Sequence, residues 1–353
     1  MRRIYYLDLI RIFLTMLVFY HHSAIAFGAS GGWYYVSGEV TSGLTRGLLS
    51  ASMAVDQSYF MSLFFFISAY FLPASFDRKG VRGFLWDRLN RLGIPLLLFY
   101  FVLDPLLVYW IWGVWGDPAF GPMWFVFTLL VFESAYVTYR HFSGRRWAIK
   151  RKGFTWVEAF VFILLMGIAA FLIRLRIPVG TSVMGLQLGY YPLYVAMYFL
   201  GIVAYRNQWL EHLRMREAYC WFAIVLLWGI PALLYIVATN ADRLGDFSGG
   251  WNHNALFYAM WEPVMCVGLC YSLLALGKNY FNVPSPFIRS LSLNSYSFYI
   301  IHPFVVVGCV FAAELFPVPP LVRLALVCIM GIPLCFIVGI GFRKLLGGVH
   351  VRI

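Results

Sequence analysis

The sequence is poor in charged residues. Only 12% of its 353 residues are Asp, Glu, Lys or Arg, whereas 62% are hydrophobic and the mean hydropathy is +0.77. A soluble domain carries about 25% charged residues, because even a large globule must cover its surface with polar groups. This shortage excludes an ordinary soluble domain, and lipid is the solvent that such a composition suits.

Features of several other protein classes are missing as well. A net charge of +12 would suggest nucleic acid in a soluble protein, but the chain has no long basic tract and 20% of it is aromatic. All six cysteines fall inside apolar segments, so no loop pair is available for a disulfide. No cysteine–histidine spacing fits a zinc site. We therefore expect neither a nucleic-acid partner nor a metal ion.

Apolar runs long enough to cross a bilayer, about 20 residues each, recur along the whole chain. They lie near residues 8–26, 58–75, 92–113, 123–139, 155–173, 189–205, 218–238, 255–276, 293–314 and 321–342. The sequence predicts an all-α integral membrane protein, a polytopic bundle of about 10 transmembrane helices. We expect one domain over residues 1–353. Asp8 and Arg11 interrupt the first run, which we therefore expect to be retained rather than cleaved as a signal peptide.

The basic residues predict the orientation of the spans. With the N-terminus inside, 21 of the 27 Lys and Arg residues lie at inner ends, and Arg11 lies within the first span. The outer ends hold Arg46, Arg174, Arg176, Arg243 and Arg323. Such an excess marks the cytoplasmic side of membrane proteins. We expect a multi-pass protein of the plasma (inner) membrane with both termini in the cytoplasm.

The first span carries an unusual set of polar residues. One face of the helix holds Asp8, Arg11, Thr15 and His22, whereas His21 points about 80° away. From Arg11 to His22 the stripe runs about 16 Å, from the predicted cytoplasmic side into the outer half of the bilayer. Ionisable groups at this depth are costly and mark functional sites. The alternative is structural, with Asp8 and Arg11 as an ion pair and His22 bonded to a neighbouring helix.

Two arginines lie in a predicted loop after the second span. Arg88 and Arg91 are one helical turn apart and immediately precede an apolar run. Guanidinium groups at this spacing suit phosphates, which they can bind with two parallel hydrogen bonds. Anchoring of the chain to the cytoplasmic side explains the pair equally well, so both interpretations stay open on the residues alone.

Further ionisable residues fall inside predicted spans: Asp104, Glu133, Glu158, Glu262 and His302. Glu262 and His302 each precede a proline, which cannot donate to its helix and so frees a backbone carbonyl. Tyr299 and Ser295 come three and seven residues before His302, on its face of the helix. Taken singly, each of these residues is better explained as an interhelical hydrogen bond than as a catalyst.

In their order along the chain, the motifs resemble those of the acyltransferase-3 family of membrane acyltransferases. The family's hallmark, an arginine, ten residues and a histidine in the first span, matches Arg11 and His22. The other matching motifs are Phe64 to Phe71, Arg88-x-x-Arg91, Trp124-Phe125, Phe199 to Gly201, and Ser295 to Pro303. One departure is Ser68-Ala69-Tyr70, where the family often has Ser-Gly-Phe or Ser-Gly-Tyr. We expect no appended soluble domain, and in this stand-alone form the chain resembles the glucan-modifying branch more than the fused form of the family.

The resemblance implies transfer of an acyl group, with acetyl expected, from cytoplasmic acyl-CoA to a hydroxyl of an extracytoplasmic glycan or glycolipid. His22 is the predicted general base, because imidazole titrates near neutral pH. An electrophilic group must stabilise the oxyanion, and Tyr299 or His302 is the candidate. The remaining predicted site residues are Asp8 and Arg11 in catalysis, Arg88 and Arg91 on the donor phosphates, and Glu262, Trp124 and Ser295 nearby.

Two other classes stay open. A secondary transporter of the acyl donor or of a glycan precursor would share the ten helices and the buried charges. Such transporters usually show two related halves, and the first five spans here do not match the last five. A channel or structural membrane protein would need neither the polar stripe nor the double arginine. The acceptor, the acyl chain and the oligomeric state are not defined by the sequence.

Overall fold

The protein is described by a computed structural model that covers residues 3–38, 41–144, 153, 155–239 and 241–348. These residues form helices and connecting loops, with one isolated bridge between Val183 and Leu186. The prediction of an all-α polytopic bundle is therefore confirmed. Part of the basic residue set predicted for the inner side lies outside the described residues, namely Arg2, residues 145–152 and Arg352.

The described part of the chain contains twelve α-helices, numbered here in chain order. They are α1 (Tyr5–Ala26), α2 (Gly43–Arg88), α3 (Ile94–Leu98), α4 (Asp104–Trp112), α5 (Trp124–Ser143), α6 (Trp156–Arg174), α7 (Tyr191–Arg206), α8 (Met215–Ile224), α9 (Ile230–Thr239), α10 (His253–Tyr280), α11 (Pro286–Glu314) and α12 (Pro320–Gly348). Nine helical stretches among these residues are long and apolar enough to cross a membrane.

The longest of the nine stretches, Gly43–Trp112, holds two of the predicted spans. Its 70 residues would measure about 105 Å as one helix, whereas the hydrocarbon core is about 30 Å thick. The backbone leaves helical geometry at Gly80, where φ is 66° and ψ is 178°. Only glycine adopts this conformation readily. The predicted spans near 58–75 and 92–113 lie on either side of the break, so nine stretches agree with about ten spans.

The segment that carries Arg88 and Arg91 is helical and not the predicted loop. Helix α2 continues to Arg88, and a π-helical turn over Leu89–Gly93 leads into α3. Charged residues at this point do not end the helix, because they stabilise it along its surface. Asp87 lies 3.3 Å from Arg91 at the i,i+4 spacing that favours helical ion pairs.

Contacts divide the described chain into two compact units. Unit 1 comprises the described parts of residues 1–10, 54–78 and 139–283. Within it α10 packs against α6 and α8, and glycines permit the close approach. A Cβ on Gly268 of α10 would meet the Val225 side chain at 2.6 Å. Small residues at such contacts are the usual means of packing helices in membranes.

Unit 2 comprises the described parts of residues 11–53, 79–138 and 284–353. Helices α11 and α12 lie side by side over most of their length. Phe298 of α11 is fully buried between Phe19 of α1 and Phe336 of α12, with ring centroids 6.0 Å and 4.6 Å away. Gly331 of α12 faces the Phe19 ring, where a Cβ would not fit without movement. This packing fixes the second half of α1 beside α11.

Gly201 of α7 occupies a contact that an alanine would disturb. A Cβ there would lie 2.9 Å from the Ala69 Cβ and would also run into the Phe66 carbonyl of α2. We expect Gly201→Ala to lower the free energy of unfolding by about 1–3 kcal/mol, since the obstacle is partly backbone. Thermal unfolding in detergent measures this loss.

Gly341→Ala is the matched control. Gly341 lies in the last part of α12, and no atom lies within 4 Å of the place that a Cβ would take. Alanine has the higher helix propensity, so this variant should be neutral or gain up to about 1 kcal/mol. Equal stability of the two variants would contradict the tight contact between α2 and α7.

Candidate active site

Two histidines meet in unit 2. His22 near the end of α1 places its Nδ1 atom 2.9 Å from the Nε2 atom of His302 in α11. The two rings are nearly parallel, with an interplanar angle of 14°. His302 is fully buried, whereas His22 is partly exposed. The structure thus pairs two residues that the sequence predicted separately.

The proline after His302 explains how this pair is oriented. Pro303 has no N–H to donate to the Tyr299 carbonyl, four residues earlier in α11. His302 takes up this carbonyl, because its Nδ1 atom lies 2.6 Å from the Tyr299 oxygen. A carbonyl can only accept, so His302 carries its proton on Nδ1.

This hydrogen bond defines the tautomer of both rings in their neutral forms. With its proton on Nδ1, His302 has an acceptor at Nε2, and the neighbouring Nδ1 of His22 must donate to it. The Nε2 atom of His22 then keeps its lone pair. The pair therefore presents one basic nitrogen, held in place by a buried imidazole that is itself held by the backbone.

Tyr299 and Ser295 make hydrogen bonds of their own. The Tyr299 hydroxyl donates to the Pro122 carbonyl before α5, and the Ser295 hydroxyl donates to the Leu291 carbonyl at 3.0 Å. Neither group points a free proton at the histidine pair in this arrangement. His302 likewise uses both of its nitrogens, so the geometry assigns the oxyanion role to none of the three. Trp124 begins α5, with its ring edge-on to Phe125 at 6.4 Å.

A short aromatic segment between α1 and α2 completes the surroundings of the pair. Trp33 stacks on His22 with ring centroids 3.9 Å apart and an angle of 12°. Next to it, the Tyr34 hydroxyl donates to the buried Asp104 carboxylate at the start of α4. Burial and the neighbouring Asp104 raise the pKa of Tyr34 well above its usual range, so it remains a donor. Trp33 is not among the predicted site residues, although the aromatic run Trp33-Tyr34-Tyr35 is unusual in a glycine-rich loop.

The two arginines of the double motif have different surroundings. Arg88 Nε lies 3.0 Å from a carboxylate oxygen of buried Glu133 in α5, and its side chain is 18% exposed. Its guanidinium also lies over the Phe84 ring, 4.7 Å from the centroid. Arg91 pairs with Asp87 but its side chain is 53% exposed. Arg88 is therefore held in one orientation by a buried carboxylate, while Arg91 is more open to solvent or a ligand.

The beginning of the polar stripe forms local contacts. Asp8 is buried and binds Arg3, whose Nε lies 2.5 Å from the carboxylate. The structural alternative predicted from the sequence pairs Asp8 with Arg11 and does not include Arg3. Thr15 is also buried, and its hydroxyl donates to the Arg11 carbonyl at 2.8 Å. Arg11 is partly exposed and stands about 16 Å along α1 from His22, too far for direct contact.

Glu262 belongs to a buried ion pair within unit 1. Its carboxylate binds the Arg174 guanidinium, and both side chains are almost completely buried. Arg174 also donates to the Gly189 carbonyl at 3.0 Å and lies over the rings of Tyr190 and Tyr258. Breaking such a pair leaves an uncompensated charge, so a structural role suits Glu262. The sequence predicts Arg174 at the end of a span and gives no sign of its burial.

Unit 1 also contains an open pocket with a volume of about 680 Å³. Apolar side chains form most of its wall, including Phe66, Leu200 and Trp221. Glu158 contributes to the wall and also accepts from the Thr155 backbone at 2.9 Å, which caps the start of α6. None of the residues predicted for catalysis lines this pocket in the described part of the chain.

The pair His22–His302 lies among membrane-spanning helices and carries one nitrogen with a lone pair, so it could serve acid–base chemistry. A family model described as an acyltransferase domain matches residues 4–340, nearly the whole chain. The chain therefore belongs to the acyltransferase-3 family and is a multi-pass membrane acyltransferase. No curated protein and no solved structure matches it.

Proposed function

We propose that this acyltransferase moves an acyl group, acetyl in the simplest case, from cytoplasmic acyl-CoA to a hydroxyl of an extracytoplasmic glycan or glycolipid. The hydrogen-bonded pair His22–His302 is the observation that carries the proposal, because it supplies a base with a defined basic atom. In the predicted orientation, with both termini in the cytoplasm of a plasma (inner) membrane, the end of α1 lies toward the outer side.

His22 acts as general base and then as general acid in this reaction. Its Nε2 atom takes the proton of the acceptor hydroxyl while the hydroxyl oxygen attacks the thioester carbonyl. The tetrahedral intermediate then expels the thiolate of coenzyme A, and Nε2 donates to this thiolate the proton that came from the acceptor hydroxyl. One ester forms, one thioester breaks, and free coenzyme A leaves with the proton. His302 holds the ring of His22 in the tautomer that this transfer requires.

Arg88 and Arg91 are proposed to bind the phosphates of the donor. The Nε edge of Arg88 faces Glu133, so the two terminal nitrogens remain for a phosphate. Planar guanidinium groups suit this task because they offer paired donors at the spacing of phosphate oxygens. Arg11 is proposed to orient the middle of the polar stripe, since its distance along α1 keeps it from the reacting atoms.

Release of free thiol from acetyl-CoA by the purified protein tests the proposal. We expect thiol to appear at a rate that depends on the addition of a glycan acceptor, with an O-acetyl ester on the acceptor by mass spectrometry. His22→Ala protein serves as the matched control. Uptake of donor or glycan into vesicles without ester formation would instead support the secondary transporter.

A further inference from the structure

Trp33 stacks on the imidazole of His22. The indole and the imidazole are 3.9 Å apart and nearly parallel, and the same indole lies 5.9 Å from the His302 ring at 20°. One face of His22 is therefore covered by Trp33. A ring that stacks at this distance restricts rotation of the imidazole about its side-chain bonds, whatever its charge.

The backbone around Trp33 is fixed by contacts on its C-terminal side. Tyr34 donates to Asp104, and the other oxygen of that carboxylate accepts from the Ala119 N–H at 3.1 Å. The Tyr35 hydroxyl lies 2.9 Å from the Glu314 carboxylate at the end of α11. Three consecutive aromatic residues thus face three different partners, and Trp33 is the one that faces the histidine pair.

A stacked indole affects an imidazolium more than a neutral imidazole. The face of an indole carries partial negative charge and attracts a cation, most strongly where water is excluded. Acceptance of a proton at Nε2 converts His22 into such a cation. The contact therefore strengthens as the proton is transferred, which is the property that accelerates a chemical step.

We propose that Trp33 is a positioning residue for His22 that fixes its imidazole and stabilises the imidazolium formed when the acceptor hydroxyl loses its proton. The proposal rests on the proposed role of His22 as general base. The titratable groups that face His22 are His302 from α11 and His21 from its own helix, whose ring lies edge-on at 5.7 Å. Tyr34 and Asp104 stand next to Trp33. None of these groups changes in a Trp33 variant.

Trp33→Leu and Trp33→Phe test the inference, with Trp115→Leu as the matched control. Trp115 is an exposed tryptophan that stacks on Tyr109. We expect Trp33→Leu to lower kcat by about tenfold while the KM for acceptor changes less than about twofold, since a cation–π contact in a partly dry site has this size. Trp33→Phe should recover part of kcat, and Trp115→Leu should match wild type.

A second readout does not depend on turnover. The pH midpoint for carbethoxylation of His22, followed by peptide mass spectrometry, should fall by up to about one unit in Trp33→Leu and by less in Trp33→Phe. An unchanged midpoint together with unchanged kcat would overturn the inference. An increase in acceptor KM alone would also overturn it and would indicate that Trp33 binds the acceptor sugar by stacking. If Trp33→Leu does not fold, Trp33→Phe decides. If the midpoint shifts in a protein that does not turn over thioester, the proposed function is refuted, but the effect of Trp33 on the His22 imidazolium is supported.

Discussion

His22→Ala is expected to lower kcat for acyl transfer by about a hundredfold or more, because general base catalysis contributes at least that much. The variant should still fold and bind coenzyme A, since the His22 side chain is partly exposed and is not proposed to bind the donor. Steady-state kinetics with acetyl-CoA and a glycan acceptor measure the loss, and a thermal-unfolding scan checks the fold.

His21→Ala is the matched control for this experiment. His21 is the neighbouring histidine in the same helix, and its ring lies at 90° to His22, outside the pair with His302. Its removal should cost much less activity. Comparable losses in both variants would indicate disruption of α1, and near-wild-type activity in both would remove His22 from the mechanism.

The double variant His22→Ala/His302→Ala tests whether His302 only positions His22 or has a catalytic role of its own. If His302 acts only through His22, removal of both should cost little more than removal of His22 alone, because residues that act as a unit are not additive. Independent losses that multiply would give His302 a role of its own.

The sequence predicted the helical part of this architecture well. Long apolar runs have only one stable form in lipid, since a helix satisfies its own backbone hydrogen bonds. The exceptions were local. Apolar content alone could not reveal that α2 begins at Gly43 or that it continues to Arg88. A helix can extend beyond an apolar run where charged side chains one turn apart form ion pairs on its surface.

The candidate site was predictable as a set of residues and not as a set of contacts. The spacing of Arg11 and His22 on one helix is a local property, and the face they share follows from helix geometry. The bond between His22 and His302 joins residues 280 positions apart. Which helices become neighbours depends on the packing of side chains such as Phe19 and Phe298, which no periodicity encodes.

Contacts made by loops were the hardest to anticipate. Trp33 lies in a connection without regular structure, so neither helical period nor span length assigns it a direction. The proline beside His302 was a useful signal, because it predicted a free carbonyl. The structure shows what the sequence could not, namely that the histidine itself takes this carbonyl.

Arg88→Lys is expected to weaken coenzyme A binding by about ten- to a hundredfold, because one charge-assisted contact to phosphate contributes about 1.5–3 kcal/mol. Lysine keeps the charge but lacks the planar guanidinium group. An arginine can contact Glu133 with one edge of this group and a phosphate with another, which a lysine ammonium cannot do. Arg91→Lys should have the smaller effect of the two, since its side chain is 53% exposed and less fixed.

Titration of coenzyme A against purified wild type and the two variants, at two salt concentrations, measures these effects. Arg82→Lys is the matched control, because Arg82 is an exposed arginine between the break at Gly80 and Arg88. The variant Glu133→Gln tests the role of the buried carboxylate. It leaves both arginines in place but removes the charge that orients Arg88, so affinity for coenzyme A should fall less than in Arg88→Lys. If the arginines serve only to anchor the chain on the cytoplasmic side, lysine should replace either one without effect. Unchanged affinity in both variants, or binding by wild type that ignores salt, would refute the phosphate site and leave Glu133 as a structural partner of Arg88.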